Sequence, residues 1–245
     1  MTSSDLWDEE TALRYDDTSA EMFAPDVLDP AVDFLAGLAG AGPALEFAIG
    51  TGRVAVPLAA RGIAVSGIEL SQPMVDQLRR KASADHLPVV VGDMATATVA
   101  GSFSLVYVVF NSIGNLRTQD EQVQCFQNAA RHLAPGGRFV VELWVPSIRR
   151  FPPGQSAVPF ELTDRHVGLD TLDMVTQQGT SHHYYRERDG STRYGYSNFR
   201  YIWPAECDLM ARLAGMSLER RVAGWDGAPF TSDSESHVSV WRKPR

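Results

Sequence analysis

Three acidic residues stand at the ends of apolar runs or inside them, in positions where a carboxylate could bind a ligand. The first, Glu46, lies within the run 44–49, four residues before Gly50. Gly50 and Gly52 permit positive φ and close approach of the backbone to a ligand. The helix-forming residues that follow would present unpaired N–H groups and a partial positive charge. This pattern predicts a strand, a turn and a helix beside a nucleotide-like ligand.

The same turn also fits a dinucleotide site. Gly50-x-Gly52-x-x-Ala55 matches the fingerprint with Ala in place of the third Gly. A pyrophosphate over this turn would be repelled by Glu46, whereas a ligand with a cationic amine would be attracted to it. Glu69 ends the next apolar run, and Asp93 follows the third. The acids therefore favour a ligand with an amine over a dinucleotide.

Strands and helices alternate along the chain from Ala44 to Leu143, which predicts a doubly wound parallel sheet with helices on both faces. Ligands on such α/β sheets bind beyond the C-terminal ends of the strands, so one pocket can collect these acids. The expected strands span 44–49, 63–70, 89–91, 103–110, 138–143, 216–225 and 237–241, and the expected helices 53–61, 71–84, 119–133 and 204–213, with an earlier helix opened by Asp29-Pro30 and ended by 40–43.

The segment 145–201 differs from this pattern, because it is rich in Thr, Tyr, His and Gly and contains alternating runs. Asp189-Gly190 between two such runs predicts a hairpin. We expect a small antiparallel sheet inserted after the fifth strand, over the pocket. The expected units are an N-terminal helical lid (1–43), a Rossmann-like nucleotide-binding domain (44–144 and 204–245) and the inserted lid or substrate unit (145–203).

Composition excludes several classes of partner. The chain has 245 residues, 44% of them hydrophobic, and a formal net charge of -8, which argues against a nucleic-acid partner. Cys125 and Cys207 show no metal-ligand spacing and are expected to be free thiols in a reducing cytoplasm. Since no uncharged apolar run approaches the roughly 18 residues that a membrane span needs, we expect a cytoplasmic protein.

From Ala44 to Leu143 the chain resembles the class I S-adenosylmethionine-dependent methyltransferases. The motifs that carry the resemblance are Glu46-x-Ala48-x-Gly50-x-Gly52, Glu69 at the end of the second strand, Gly92-Asp93-Met94, and Leu133-Ala134-Pro135-Gly136-Gly137 before the fifth strand. The family often has Gly at the position of Ala48. The resemblance implies a seven-stranded sheet, S-adenosyl-L-methionine as cofactor and S-adenosyl-L-homocysteine as product.

The resemblance also implies roles for individual residues. Glu46 and the backbone of the glycine turn would hold the methionyl end, Glu69 the ribose hydroxyls, and Asp93 the adenine amino group. Phe110 and Asn111 would line the wall near the sulfonium. The full set of expected cofactor-binding residues is Tyr15, Glu46, Ala48, Gly50, Gly52, Arg53, Glu69, Leu70, Met74, Gly92, Asp93, Met94, Phe110 and Asn111.

Tyr15 and the inserted sheet resemble those of actinobacterial methyltransferases that act on amino sugars and other natural-product intermediates, antibiotic biosynthesis included. In such enzymes an N-terminal helix closes over the cofactor, and here Tyr15, with Trp7 and Phe23, would form that lid. The catalytic candidates are Tyr15, His182 and His183. On a strand, only one of the two histidines can face the pocket. Adjacent histidines also make a poor metal site, so no metal is predicted.

The predicted reaction is in-line methyl transfer to an amine or hydroxyl of a small molecule, with N-methylation favoured because no His–Asp pair stands out in the sequence. A hydroxyl acceptor would need a dedicated base more than an amine would. Two alternatives are a nicotinamide-dependent oxidoreductase on the same fold and a non-catalytic partner subunit that binds the cofactor. A homo-oligomer is compatible with the inserted sheet.

Overall fold

The structure, a computed structural model, describes residues 2–148 and 151–245. The helices are α1 (Glu9–Thr18), α2 (Pro25–Ala39), α3 (Ala55–Ala60), α4 (Gln72–Leu78), α5 (Gln119–His132) and α6 (Pro204–Leu213), with 3₁₀ turns at Ala20–Phe23 and Ser112–Asn115. The strands are β1 (Ala44–Phe47), β2 (Val65–Glu69), β3 (Val89–Val91), β4 (Phe103–Val108), β5 (Leu133–Trp144), β6 (Ala157–Leu162), β7 (His166–Leu172), β8 (Gln178–Arg186), β9 (Thr192–Arg200), β10 (Ser217–Val222) and β11 (Ser236–Arg242).

Seven strands form one sheet in the order β10-β11-β5-β4-β1-β2-β3. The neighbours from β5 to β3 pair in parallel, and β11 pairs antiparallel with both β5 and β10. β1 therefore lies between β2 and β4, where the order reverses along the chain. The predicted seven-stranded, doubly wound sheet is confirmed.

Hydrophobic residues cover both faces of this sheet, as a parallel sheet requires. On one face Phe47 packs with α5 and α6 around Phe126 and Trp241, all fully buried. On the other face Leu105 packs with α2 and α3, where Leu35 is fully buried. The two cores hold the C-terminal ends of β1, β2 and β4 in fixed positions, and those ends carry the polar residues discussed below.

Helix α2 begins at Pro25, so the expectation that Asp29-Pro30 opens it is wrong. Ala24 is extended and Pro25 takes the first helical turn, where the missing N–H costs nothing. Pro30 lies inside the helix, which persists because Leu28, Val32 and Leu35 on its inner face are buried. α2 packs into the core beneath β4. Among the described residues of the predicted unit 1–43, those that line the pocket all precede α2.

Other predicted elements begin or end at different residues in the structure. α4 ends at Leu78 instead of Ala84. Pro57 falls in the first turn of α3, where backbone N–H groups have no helical partner, so it does not distort the helix. β5 starts at Leu133, before the expected Arg138, through an irregular stretch at 134–137 that shifts its register against β4.

The inserted segment forms a separate four-stranded antiparallel sheet in the order β6-β7-β8-β9. The predicted hairpin joins β8 to β9, with Gly190 at φ 86° and the Asp189 carboxylate accepting from the Ser191 N–H. In the described ranges, no helix is long and apolar enough to cross a membrane. Cys125 and Cys207 are free and buried, as expected.

Candidate cofactor site

The turn after β1 has the backbone conformation that its glycines predict. Gly50 and Gly52 have φ of 56° and 82°. A Cβ on Gly52 would lie 2.3 Å from a methyl carbon of Leu78, so the close packing of α4 also requires glycine there. Ala48 also has positive φ, at 53°. This left-handed conformation explains why glycine is common at that position in the family and places a strained alanine at the turn.

Glu69 connects this turn to the end of β2. One carboxylate oxygen accepts from the Gly50 N–H at 2.8 Å and the other from the Ser71 N–H at 2.9 Å. The side chain is only 7% exposed, and burial raises the pKa of the carboxyl despite these hydrogen bonds. Each oxygen keeps a further acceptor site. The residue can therefore accept two more hydrogen bonds from a ligand that carries paired hydroxyl groups.

Glu46 lies deeper, in the middle of the sheet. The Tyr107 hydroxyl donates to it at 2.8 Å, and the side chain is 2% exposed. Burial raises the pKa of this carboxyl to about 8, opposed by the hydrogen bond from Tyr107 and the positive charge of Arg53. At neutral pH the buried carboxyl is therefore largely protonated, and a nearby cation would favour its ionised form.

At the end of β3, Asp93 turns the chain back toward the sheet. Its Oδ1 accepts from the Ala95 N–H at 2.7 Å. The buried Asn128 side chain of α5 donates to the carbonyl of Met94 at 2.8 Å and to that of Ala97 at 3.0 Å. The hydrogen bonds from α5 therefore hold the loop that carries Asp93 in place, and the Asp93 carboxylate lies near the ends of the strands.

These strand ends meet around one cleft, whose empty space is about 610 Å³ with open solvent included. Of the fourteen residues predicted to bind the cofactor, nine line it. The lining residues are Ser4, Asp5, Trp7, Tyr15, Ala48, Gly50, Ile68, Glu69, Leu70, Met74, Gly92, Asp93, Met94, Ser112 and Asn115.

The N-terminal segment covers this cleft. Trp7 and Tyr15 pack edge to face with ring centroids 5.3 Å apart, and the Ser71 hydroxyl donates to the Trp7 carbonyl at 2.6 Å. Farther along α1, Asp16 accepts from Thr51 at 2.6 Å. Burial raises the pKa of Tyr15. The predicted lid residues Trp7 and Tyr15 thus line the cleft, whereas Phe23 contacts Lys81 outside it.

Five predicted residues lie outside the lining set: Glu46, Gly52, Arg53, Phe110 and Asn111. Glu46 is covered by the turn, and Gly52 packs on α4. Arg53 lies with its guanidinium carbon 5.5 Å from the Phe110 ring centroid. Phe110 and Asn111 are consecutive left-handed residues, with φ of 52° and 59°. The Asn111 backbone N–H donates to the Glu142 carbonyl at 3.2 Å, which ties the end of β4 to β5.

The two histidine candidates lie on opposite faces of the inserted sheet, as strand alternation predicts. His183 Nδ1 is 3.0 Å from His166 Nε2, and the other ring nitrogen of His166 contacts the Glu161 carboxylate. His182 contacts Tyr194 at 2.7 Å and Thr171 at 3.2 Å. Burial lowers the pKa of His183. Neither histidine belongs to the described lining of the cleft, so among the three catalytic candidates Tyr15 alone reaches it.

Sequence reasoning missed several lining residues. Ser4 and Asp5 precede the first helix in a polar segment with no motif. Ser112 and Asn115 belong to a 3₁₀ turn after β4, and Gln122 of α5 fixes that turn by donating to the Leu116 carbonyl at 2.9 Å. The rule that ligands bind at the ends of strands had placed residues 110–112, and so Ser112, near the pocket, whereas Asn115 was missed. No local pattern marks the N-terminal residues.

The comparisons agree with this geometry. A family described as "Methyltransferase domain" matches residues 44–137. The solved structure of the CcbJ methyltransferase from Streptomyces caelestis is 39% identical, covers 88% of this chain and 89% of that one, and superposes with a TM-score of 0.80. The sheet order, the strand-end acids and this likeness define a class: the chain belongs to the class I S-adenosylmethionine-dependent methyltransferases.

Other similar proteins fall in the same class. A cypemycin N-terminal methyltransferase from a Streptomyces species is 27% identical over 238 residues, 92% of this chain and 96% of that protein. The amino pentose methyltransferase CalS10 from Micromonospora echinaspora, solved with S-adenosylmethionine, is 22% identical, covers 90% of this chain and 91% of its own, and shares the fold with a TM-score of 0.69. The oxidoreductase and partner-subunit alternatives find no support in these comparisons.

Proposed function

We propose that this protein transfers a methyl group from S-adenosylmethionine to the amino group of a small natural product. The observation that carries the proposal is the single cleft into which the ends of three neighbouring strands bring Glu69, Asp93 and the glycine turn. Preference for nitrogen is supported by relatives named as an N-terminal methyltransferase and as an N,N-dimethyltransferase of a dTDP-linked amino sugar.

The residues present fit the cofactor. Glu69 keeps acceptor capacity for the ribose hydroxyls, because each of its oxygens is used by one backbone N–H. We assign Asp93 to the adenine amino group, since Oδ1 is held by a backbone N–H and the carboxylate stands at the rim. Glu46 would balance the ammonium of the methionyl end from beneath the turn. Leu70, Met74 and Met94 would pack against the adenine and ribose.

When bound, S-adenosylmethionine supplies an electrophilic methyl group on a sulfonium. The protein's contribution is positioning, for which about 7–11 kcal/mol is available in principle. Trp7 and Tyr15, which pack against each other at the cleft, would exclude water from the bound cofactor. Arg53, which lies over the Phe110 ring, would lie beside the methionyl end. An acceptor amine must be neutral to react, and an aromatic surrounding lowers the cost of its deprotonation.

Calorimetry tests the cofactor. We expect S-adenosylmethionine and S-adenosylhomocysteine to bind and NAD not to bind. Glu69→Ala should weaken binding about tenfold or more, because a hydrogen bond to a charged group contributes about 1.5–3 kcal/mol. Glu219→Ala, which removes an exposed acid of β10 that pairs with Arg138, serves as the matched control. Tight NAD binding without affinity for S-adenosylmethionine would overturn the proposal.

A transfer assay tests the acceptor. Pairs of natural-product amines and the corresponding alcohols are incubated with S-adenosylmethionine, and the methylated product is identified by mass. Methylation of amines with no product from the alcohols supports N-transfer. Methylation of the alcohols in preference to the amines would contradict it.

A further inference from the structure

An acid outside the cofactor set lies at the neighbouring strand end. Glu142 stands near the end of β5, where one carboxylate oxygen accepts from the Phe110 N–H and the other from the Trp225 indole N–H, both at 2.7 Å. Both donors are neutral. No ion pair between described residues includes Glu142, so its negative charge is not balanced by a neighbouring side chain in that part of the chain.

Two exposed aromatic rings flank this acid. Trp144 is 60% exposed and Phe110 is 38% exposed, with ring centroids 6.3 Å apart at 77°. Glu142 and Trp144 are two residues apart on one strand and therefore point to the same side of the sheet. Large aromatic side chains that remain exposed together contribute little to the core and indicate a binding surface.

A strained backbone turn at Phe110 and Asn111 holds the Phe110 and Trp144 rings in place. Phe110 and Asn111 both have positive φ, a conformation that non-glycine residues rarely adopt. The Asn111 side-chain oxygen accepts from the Trp144 backbone N–H at 2.6 Å. The Asn111 backbone N–H donates to the Glu142 carbonyl at 3.2 Å. The strained turn thus ties the end of β4 to the end of β5 and fixes Phe110 beside the acid.

The position of this cluster relative to the cofactor site indicates its occupant. In the sheet, β4 separates β5 from β1, so Glu142 lies on the side opposite Glu69 and Asp93. Phe110 lies between Glu142 and the cofactor site. Arg53 lies over the Phe110 ring, and its positive charge also lowers the pKa of Glu46. A molecule on Trp144 and Glu142 would therefore border the methionyl end, where methyl transfer must occur.

We propose that Glu142, Phe110 and Trp144 form the acceptor subsite and select a protonated aliphatic amine. This proposal rests on the proposed function. Aromatic faces attract an ammonium group, and a carboxylate binds it by a charge-assisted hydrogen bond. A hydroxyl acceptor would gain neither interaction. The subsite thus gives a physical reason for N- over O-methylation.

The negative charge of Glu142 is favourable both before and after methyl transfer. The bound ammonium releases one proton to solvent, and its nitrogen lone pair then forms the C–N bond. The C–S bond breaks with its electron pair on sulfur, which becomes a neutral thioether. The methylated nitrogen is again a cation, so Glu142 faces a positive charge both before deprotonation and after transfer.

Binding of small probes tests the subsite. With the protein saturated by S-adenosylhomocysteine, benzylammonium and benzyl alcohol are titrated separately and followed by saturation-transfer NMR. We expect benzylammonium to bind about tenfold more tightly than the alcohol, equivalent to about 1.4 kcal/mol. Glu142→Gln and Trp144→Ala should each remove most of this difference. Glu219→Gln, the same chemical change on an exposed acid, should leave it unchanged.

The outcomes separate the subsite from the cofactor assignment. Equal binding of the two probes to the wild type, or unchanged preference in both variants, overturns the subsite. Loss of S-adenosylhomocysteine affinity in both variants also overturns it, because that result shows that they disturb the β4 turn. If S-adenosylhomocysteine does not bind the wild type, but benzylammonium binding to the protein without it depends on Glu142 and Trp144, the amine subsite stands and the proposed function fails.

Discussion

Asp5 accepts two hydrogen bonds from Asn198 on the same carboxylate oxygen, one from the backbone N–H at 3.1 Å and one from the side-chain amide at 3.0 Å. Asp5 lines the cleft, and Asn198 lies on β9, the edge strand of the inserted sheet. The other carboxylate oxygen is 3.5 Å from Arg117, just before α5. The segment that covers the cleft is therefore anchored to the inserted sheet and to the loop before α5.

Asp5→Ala should loosen this cover. We expect S-adenosylhomocysteine affinity to fall about fivefold to tenfold, because the variant loses a charge-assisted pair that holds the segment closed. Limited proteolysis should cut before α1 faster than in the wild type. Asp17→Ala removes an exposed acid near the end of α1 and should change neither result. Unchanged affinity and proteolysis in Asp5→Ala would show that the pair does not hold the cover.

Glu46 should make stability depend on pH. A carboxyl whose pKa is raised from 4.5 to about 8 binds its proton more tightly in the folded state. Its stabilising contribution is full below pH 4.5 and is lost as the pH rises through 8, at up to about 1.36 kcal/mol per pH unit. Urea unfolding between pH 5 and 9 measures this slope. Glu46→Gln should flatten it, and an equal slope in the variant would contradict the assignment.

Cofactor binding should release a proton from the same residue. At pH 7 the Glu46 carboxyl is mostly protonated, and the ammonium of the methionyl end would lower its pKa. Calorimetry in buffers of different ionisation enthalpy should therefore detect close to one proton released per S-adenosylhomocysteine bound. Glu46→Gln should release none. Equal proton release by wild type and variant would remove Glu46 from the methionyl site.

The histidine hypothesis can be tested against the geometry. Because the described contacts place His182 and His183 among residues of the inserted sheet, we expect each alanine variant to keep turnover and cofactor affinity within about twofold of the wild type. A general base contributes roughly 10²-fold or more to the rate. A loss of turnover of that size in one variant, at unchanged cofactor affinity, would establish a histidine base.

Arg200 should be important for stability. It is 4% exposed at the end of β9, donates to Gln122 at 2.5 Å and to Gln177 at 2.8 Å, and pairs with Glu206 at 2.8 Å. Arg200→Ala would leave the Glu206 charge without its partner and should reduce the free energy of unfolding by about 3–5 kcal/mol. Arg186→Ala on the exposed end of β8 should change it by less than about 0.5 kcal/mol. Chemical denaturation of both variants compares them.

The parallel sheet was predictable because its signals are local. Apolar runs separated by helical spacing, the glycine turn and the strand-end acids each depend on a few adjacent residues. The errors came where packing overrides local rules. Asp29 resembles a helix cap but pairs with Arg61 at 3.1 Å, while buried Leu28 extends α2 toward its N-terminus.

The site was predictable on the cofactor side and less so elsewhere. Glu69 and Asp93 follow from their positions at strand ends, since parallel strands place those ends together. Asp5 and Asn198 are 193 residues apart, and no spacing rule joins them. From sequence, Phe110 was expected at the wall of the cofactor site and Trp144 had no predicted role. Only the left-handed turn at Phe110 and Asn111, which the sequence does not encode by glycine, exposes them together.

The inserted strands β6 to β9 pair only with one another in the described chain, and the family match ends at residue 137, before they begin. Evolution can therefore replace these strands without altering the register of the cofactor-binding sheet. The exchange has two conditions. The replacement must still offer an arginine, or an equivalent group, to Gln122 and Glu206, and a hydrogen-bond donor to Asp5. Recombination at this boundary would change the surface that the inserted sheet presents, while the cofactor-binding sheet would be inherited unchanged.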